Sequence, residues 1–289
     1  MLKKHDIKFM ILHSLRLPCM LRHVPAFSFF LLATLFVECS FLSMASPWQS
    51  VQHKPGKPKG IAGSAATDLP VPFRIGETLN YRVAWAAFTN AASVQLSVPE
   101  RRDLFGWRTW HLRATTHSLN PVRTFFAIDD QFDSYSDSGS LESRQYELYA
   151  NEMGRKNEAV LHFVPKGQVP SAPGSAVVVP NGTRDPLGAL YSLRAVGWPR
   201  TPEVRMPVCD GHDVYEMRAK LEVANDPLVV DAGKFTASRI LVSIFQKGRE
   251  VEGIKFSVWL ANDVRRAPIL MQAELPSGNI RIELTSTSN

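Results

Sequence analysis

From Phe73 onward, apolar and polar residues alternate with a period of two, the pattern of strands buried on one face. Leu79, Tyr81, Val83 and Trp85 fall on one side of a first strand, with Asn80 and Arg82 on the other. Val94, Leu96 and Val98 form a second set. Within 107–118, Trp110, Leu112 and Ala114 alternate with Thr109, His111 and Arg113. Ala159, Leu161 and Phe163 continue the series, as do Tyr215 to Val223, Phe235 to Phe245, Ile254 to Leu260, Ile269 to Leu275 and Ile280 to Leu284. Asp210-Gly211, Lys247-Gly248 and Pro276-Ser277-Gly278-Asn279 supply turn chemistry between runs.

One segment breaks the period. Asp185 as N-cap, Pro186 at the first helical position, and Leu187, Leu190, Tyr191 and Arg194 at helical spacing predict a helix to Val196. The stretch before it, 165–184, is rich in Pro and Gly, with room for one edge strand at Ala176 to Val179. The pattern predicts a mainly β fold of about a dozen strands: a large curved antiparallel sheet or open β-barrel with one central α-helix.

The N-terminus changes this picture. Lys3, Lys4, Lys8, Arg16 and Arg22 precede the apolar run Ala26 to Val37, and Ser43-Met44-Ala45 follows. A cationic region, an apolar run and small residues at a cleavage site describe a secretory signal peptide over 1–45. Met10 and Met20 are alternative starts to Met1. An uncleaved anchor needs ~20 apolar residues and reaches that length only by including Glu38; lipidation at Cys39 would require a small residue where Glu38 stands. Residues 46–72 read as a Pro/Gly/Lys-rich flexible linker, and 73–289 as a single β-rich domain.

Charge divides the same way. Of the net +6, the first 45 residues hold five basic and two acidic side chains, and residues 46–70 hold three Lys against Asp68. The remainder is nearly neutral, which removes the motive for nucleic-acid binding. Membrane contact is expected only through the N-terminal segment, if it stays uncleaved. After cleavage Cys209 alone remains of three cysteines, which excludes an intramolecular disulfide or a multi-Cys zinc site.

Several motifs, in order, resemble a known family. The opening Phe73-x-x-Gly76-Glu77-x-Leu79-x-Tyr81-x-Val83-x-Trp85 is similar to the start of the DUF3108 domain of bacterial envelope proteins. So are Asp185-Pro186-Leu187-x-Ala189-Leu190-Tyr191-x-Leu193-Arg194 and Val208-x-Asp210-Gly211 with Tyr215. The same holds for Trp259-Leu260-x-x-Asp263-x-Arg265-Arg266-x-Pro268 and Gly278-x-Ile280. The resemblance spans about 73–285. It implies a secreted or periplasmic β domain and no assigned activity, so the motif residues Gly76, Glu77, Tyr81, Trp85, Asp185, Tyr191, Arg194, Asp210, Gly211, Asp263 and Pro268 are read as structural. The chain departs from the pattern after the first strand, where Ala86-Ala87 stand in place of a small residue, often Gly. That puts the first hairpin in question, since Ala adopts positive φ only at a cost.

Short catalytic motifs such as G-x-S-x-G, H-E-x-x-H, C-x-x-C and the P-loop are absent from the sequence. The densest acidic group is Asp129, Asp130, Asp133 and Asp137; on a strand, alternate fourth positions lie ~13 Å apart, too far for one ion. The bland expectation is a solvated strand end running into a Ser-rich turn, Ser134 to Ser140. His111 and His117 share a face but sit ~20 Å apart, and His162 and His212 belong to different strands. Cys209 reads as a small buried hydrophobe rather than a nucleophile partnered by His212. Trp107, Trp110, Tyr146, Tyr149 and Trp259 could form a sugar-stacking or lipid-lining surface, though such rings are mostly core. No catalytic residue, metal ligand or cofactor is assigned. The favoured reading is an exported, non-enzymatic binding module for an apolar, lipid-like or glycan ligand in a concave sheet face. The rivals are a hydrolase of envelope polymers using scattered Asp and His residues and a structural or scaffolding protein.

Overall fold

The computed structural model describes residues 68–168, 175–252, 255–275 and 278–288. The expected signal peptide, the linker up to residue 67, Ile254 and Pro276-Ser277 lie outside these residues. Among the described residues, fourteen strands form one sheet. They are β1 (Thr78–Trp85), β2 (Phe88–Leu104), β3 (Trp107–Ser118), β4 (Asp129–Asp137), β5 (Ser143–Glu152), β6 (Arg155–Pro165) and β7 (Ser175–Val179). After the helix α1 (Pro186–Ala195) come β8 (Glu203–Cys209), β9 (Val214–Val230), β10 (Gly233–Gln246), β11 (Arg249–Glu250), β12 (Lys255–Ala261), β13 (Pro268–Glu274) and β14 (Ile280–Ser288).

The spatial order is β7-β6-β5-β4-β3-β2-β1-β14-β13-β12-β10-β9-β8, with β11 beside β10. The first and last strands thus pair in the middle, and the two halves predicted on either side of the helix are one sheet. Every pairing is antiparallel except β6 with β7. The sheet curls almost to closure. Arg184 bridges β8 in parallel through its N–H to the Pro207 carbonyl and its carbonyl to the Cys209 N–H. The β8–β9 turn meets β6, where Leu161 Cδ1 sits so close to Gly211 that a Cβ there would be only 2.5 Å away.

Leu79, Tyr81 and Val83 of β1, Val94, Leu96 and Val98 of β2, and Ile280, Ile282 and Leu284 of β14 point inward and are buried. The helix occupies the interior. Pro186 through Arg194 are all buried, so α1 is apolar around its circumference apart from a few satisfied polar groups, as a core helix must be. Leu187, Leu190, Tyr191 and Leu193 join the inward strand residues in one continuous core. The helix therefore belongs to the core it shares with the strands.

The first hairpin forms in spite of its sequence. Trp85 pairs with Phe88 across Ala86-Ala87, and Ala86 takes φ 50°. Two hairpins outside the predicted set, Phe105-Gly106 and Met153-Gly154, use positive φ at both turn residues. The domain also begins earlier than Phe73. The Leu69 N–H donates to the Ser138 carbonyl, and Asp68 accepts from Ser138 Oγ at 2.7 Å and pairs with Arg101 at 2.8 Å. Residues 68–72 belong to the fold rather than to the linker.

Candidate functional site

The motif residues converge on the ends of the internal helix. At its C-terminal end, fully buried Arg194 makes a two-pronged pair with buried Glu77, at 2.7 and 2.9 Å. Its remaining donors reach the carbonyls of Arg265 (2.9 Å) and Arg266 (3.2 Å). The rings of Phe73 and Tyr191 flank the guanidinium, and the Tyr81 hydroxyl donates to the Pro268 carbonyl at 2.9 Å. Asp263 shapes the adjoining loop by accepting the Arg265 and Arg266 N–H groups. Arg266 then donates to the carbonyls at the end of α1, those of Arg194, Ala195 and the capping Val196, the last at 2.8 Å.

At the other end, Asp185 caps the helix by accepting the Gly188 N–H at 2.8 Å. It also accepts the hydroxyls of Ser134 and Ser143. Burial pushes its carboxyl above the usual carboxylate range even though these donors oppose the shift. Asp210 holds the β8–β9 turn through the His212 and Asp213 N–H groups, both at 2.8 Å; Gly211 within it has φ 107°. Gly76 has φ 86° and donates to Val98 O. Trp85 rests edge-on against Phe126. Glu77, Asp185 and Arg194, the charged groups at the two ends of the helix, are all buried.

The outer face of β1–β6 is different. In register across the strands run Asn80, Gln95, Thr115, Gln131, Tyr149 and Glu158, preceded on β14 by Ser286. This row lines an open trough of about 700 Å³. His117, Asp129, Asn151 and Lys156 line it as well. Gln95 Nε2 donates to Asn80 Oδ1, and Asn80 Nδ2 to Ser286 Oγ, each at 3.0 Å. The Tyr149 hydroxyl donates to Glu147 at 2.7 Å, and that bond to a carboxylate raises its pKa to about 12.

Two His–Asp pairs flank the row. On one side His117 bonds Asp129, which also takes a two-pronged contact from Arg123 at 2.8 and 3.0 Å. The Arg123 bond chiefly holds the Asp129 carboxyl below its ordinary range. On the other side buried Asp133 accepts from His111 Nε2 (2.6 Å), Arg113 Nε (2.7 Å) and Gln131 Nε2 (2.6 Å). Burial works to raise its pKa, and these donors outweigh burial and hold it low. His111 stacks on Tyr135 with ring centroids 4.7 Å apart.

Asp133 thus sits in mid-strand and the buried Ser134 and Ser136 face the helix, which corrects the expected solvated strand end. The strand keeps its acids because each faces cations or hydroxyl and amide donors on the neighbouring strands. Asp129, Asp133 and Asp137 do not share a ligand position, and among the described residues no group of three His, Cys, Asp or Glu side chains could hold a metal. Cys209 is fully buried and its thiol is pushed up to about 11 by burial. Trp110, Tyr146 and Trp259 are buried, Trp107 is exposed beneath the Arg144 guanidinium, and Tyr149 alone of the five aromatic candidates lines the trough.

Sequence reasoning placed His111, His117 and the Asp group but missed the polar row. Its only sequence signal is that the outward positions of neighbouring strands carry amides and hydroxyls where Lys and Glu are more usual.

A family model described as a protein of unknown function, DUF3108, matches residues 80–285. No curated protein matches the chain. Among solved structures, it is similar to a β-barrel-like protein of the domain of unknown function DUF1849 from Brucella abortus. That similarity has 10% identity and TM-score 0.47, over 73% of this chain and 96% of the other. It is also similar to a protein provisionally described as a lipoprotein from Parabacteroides distasonis, at 9% identity and TM-score 0.38, over 77% of this chain and 100% of the other.

Proposed function

The chain belongs to the DUF3108 family, and from that premise we propose that it is an exported envelope protein that binds a polyhydroxylated, glycan-type ligand in the outer trough. The observation that carries this reading is the cross-strand row from Asn80 to Glu158, which offers amide, hydroxyl and phenol groups over five adjacent strands and a carboxylate on the sixth. Amides present both donors and acceptors, as sugar hydroxyls require, and Tyr149 adds an aromatic face. The inward face, where a lipid-like ligand would have lain, is packed with α1 and the strand side chains. The cationic, apolar N-terminal segment supports export.

The purified mature protein tested on a glycan array, alongside its Q95A and T115A variants, checks the reading. Binding to neutral glycans, weakened by either substitution with thermal stability unchanged, is the expected result. A protein that ignores glycans and releases a stoichiometric lipid on organic extraction overturns it.

A hydrolase is favoured by one observation, the His117–Asp129 pair at the edge of the trough. Asp129 is already clamped by Arg123, which suits an orienting carboxylate. Turnover of a bound polymer, lost in His117→Ala, would replace the binding-module reading; binding without turnover retains it.

A further inference from the structure

Resting on the glycan reading, the geometry points to a more specific ligand: we infer that the trough takes a linear, neutral, β-linked polysaccharide lying across the strands, with about one sugar ring per strand. The six row residues from Asn80 to Glu158 sit on six consecutive strands. Neighbouring strands are ~4.8 Å apart, so five spacings span ~24 Å. That repeat is close to the advance of one pyranose along an extended β-linked chain, so each ring lies over one row residue, with alternate rings turned over.

The direction follows from what the sheet leaves available. The backbone groups of β1–β5 beneath the row are paired to neighbours on both sides. An extended peptide gains its affinity from free backbone at a sheet edge, and the trough lies in mid-sheet. Only side chains are on offer, and they repeat across the strands.

Neutrality follows from the charges. Asp129 is paired with Arg123 and His117, and Asp133 with Arg113 and His111. These charges beside the row answer one another, Lys156 and Glu158 add one charge of each sign at the β6 end, and the row itself is amide and hydroxyl from Asn80 through Gln131. Tyr149, near the β6 end, is the one aromatic ring among the row residues, so ring stacking belongs to that end of the ligand.

The test is a length series of chito-oligosaccharides and cello-oligosaccharides, from dimer to hexamer, titrated into the mature protein by calorimetry and by backbone amide NMR. The expected result is a Kd at least about tenfold lower for the hexamer than for the trimer. Amide shifts should spread from two or three strands with the trimer to all of β1–β6 with the hexamer. Tyr149→Ala, with its fold checked by circular dichroism, should weaken the hexamer and withdraw the shifts from β5 and β6. Equal affinity for trimer and hexamer, or shifts confined to the length of one strand pair, overturns the cross-strand inference while leaving glycan binding intact. So does failure of both series in a protein that binds branched or charged glycans on the array. Binding of an extended peptide in the trough with no glycan binding at all overturns both this inference and the reading beneath it.

Discussion

At the scale of single residues, the fold depends on charges taken out of water and answered inside. Arg194 and Glu77 are 0% and 2% exposed, so removing either leaves a buried charge without its counterpart. Arg194→Met should cost about 3–5 kcal/mol in urea unfolding, and the double variant Glu77→Leu/Arg194→Met should recover part of that loss. Additive losses would show that the two side chains stabilise independently. Asp133 supplies the pH signature. Its carboxyl titrates lower in the fold than in the unfolded chain, so the unfolded chain takes up the proton first. The stability it confers is complete above the ordinary carboxylate pKa of about 3.9 and is lost as pH falls through the lower folded value. Asp133→Asn should therefore melt earlier than the parent at neutral pH and lose less on acidification. Asp185 has the opposite sign: with its folded pKa raised, its contribution is present below the ordinary value and is lost as pH rises through the folded one.

At the scale of elements, the helix is placed by its first turn. A Cβ on Gly188 would meet Ser136 Oγ and Ser143 Oγ at 3.0 Å each, so Gly188→Ala should cost about 1–3 kcal/mol by overpacking, despite the better helix propensity of Ala. A melting temperature unchanged by Gly188→Ala would mean that the serines give way freely. Ala86→Gly should act in the other direction, stabilising by up to about 1 kcal/mol because φ 50° strains Ala and not Gly. Most strands and the helix were legible because period-two and period-3.6 burial leave a direct mark on the sequence. β5 was not legible, since Tyr146 lies among polar Gln145, Glu147 and Tyr149 and its inward set is short. β4 reads as a loop-bound acidic strand because its inward positions include Ser134 and Ser136, which face the helix cap instead of an apolar core.

At the scale of the molecule, the sequence left the helix's location open. Asp185, Pro186 and the apolar spacing specify a helix in any tertiary setting. Its placement inside the barrel depends on Glu77, some hundred residues earlier, meeting Arg194, and on the β12–β13 loop closing over its end. Such long-range pairing leaves no periodic trace, and the polar row is hidden for the same reason: register across six strands decides that Gln95, Thr115 and Gln131 are neighbours. An internal helix also has a dynamic consequence. A lid can open while the sheet stays folded, and its amides then exchange by a low-energy local path. A helix buried from Pro186 to Arg194, with its polar ends bonded to β4, β5 and the β12–β13 loop, cannot leave without breaking the core it shares with the strands. Native-state hydrogen exchange should therefore give the amides of Leu190 to Leu193 protection close to that of β1 and β14, which pair at the centre of the sheet. Their protection should fall in parallel as urea is added. If the helix amides exchange several kcal/mol more easily than those strands, α1 is a separable plug, and the barrel interior becomes accessible to a ligand after all.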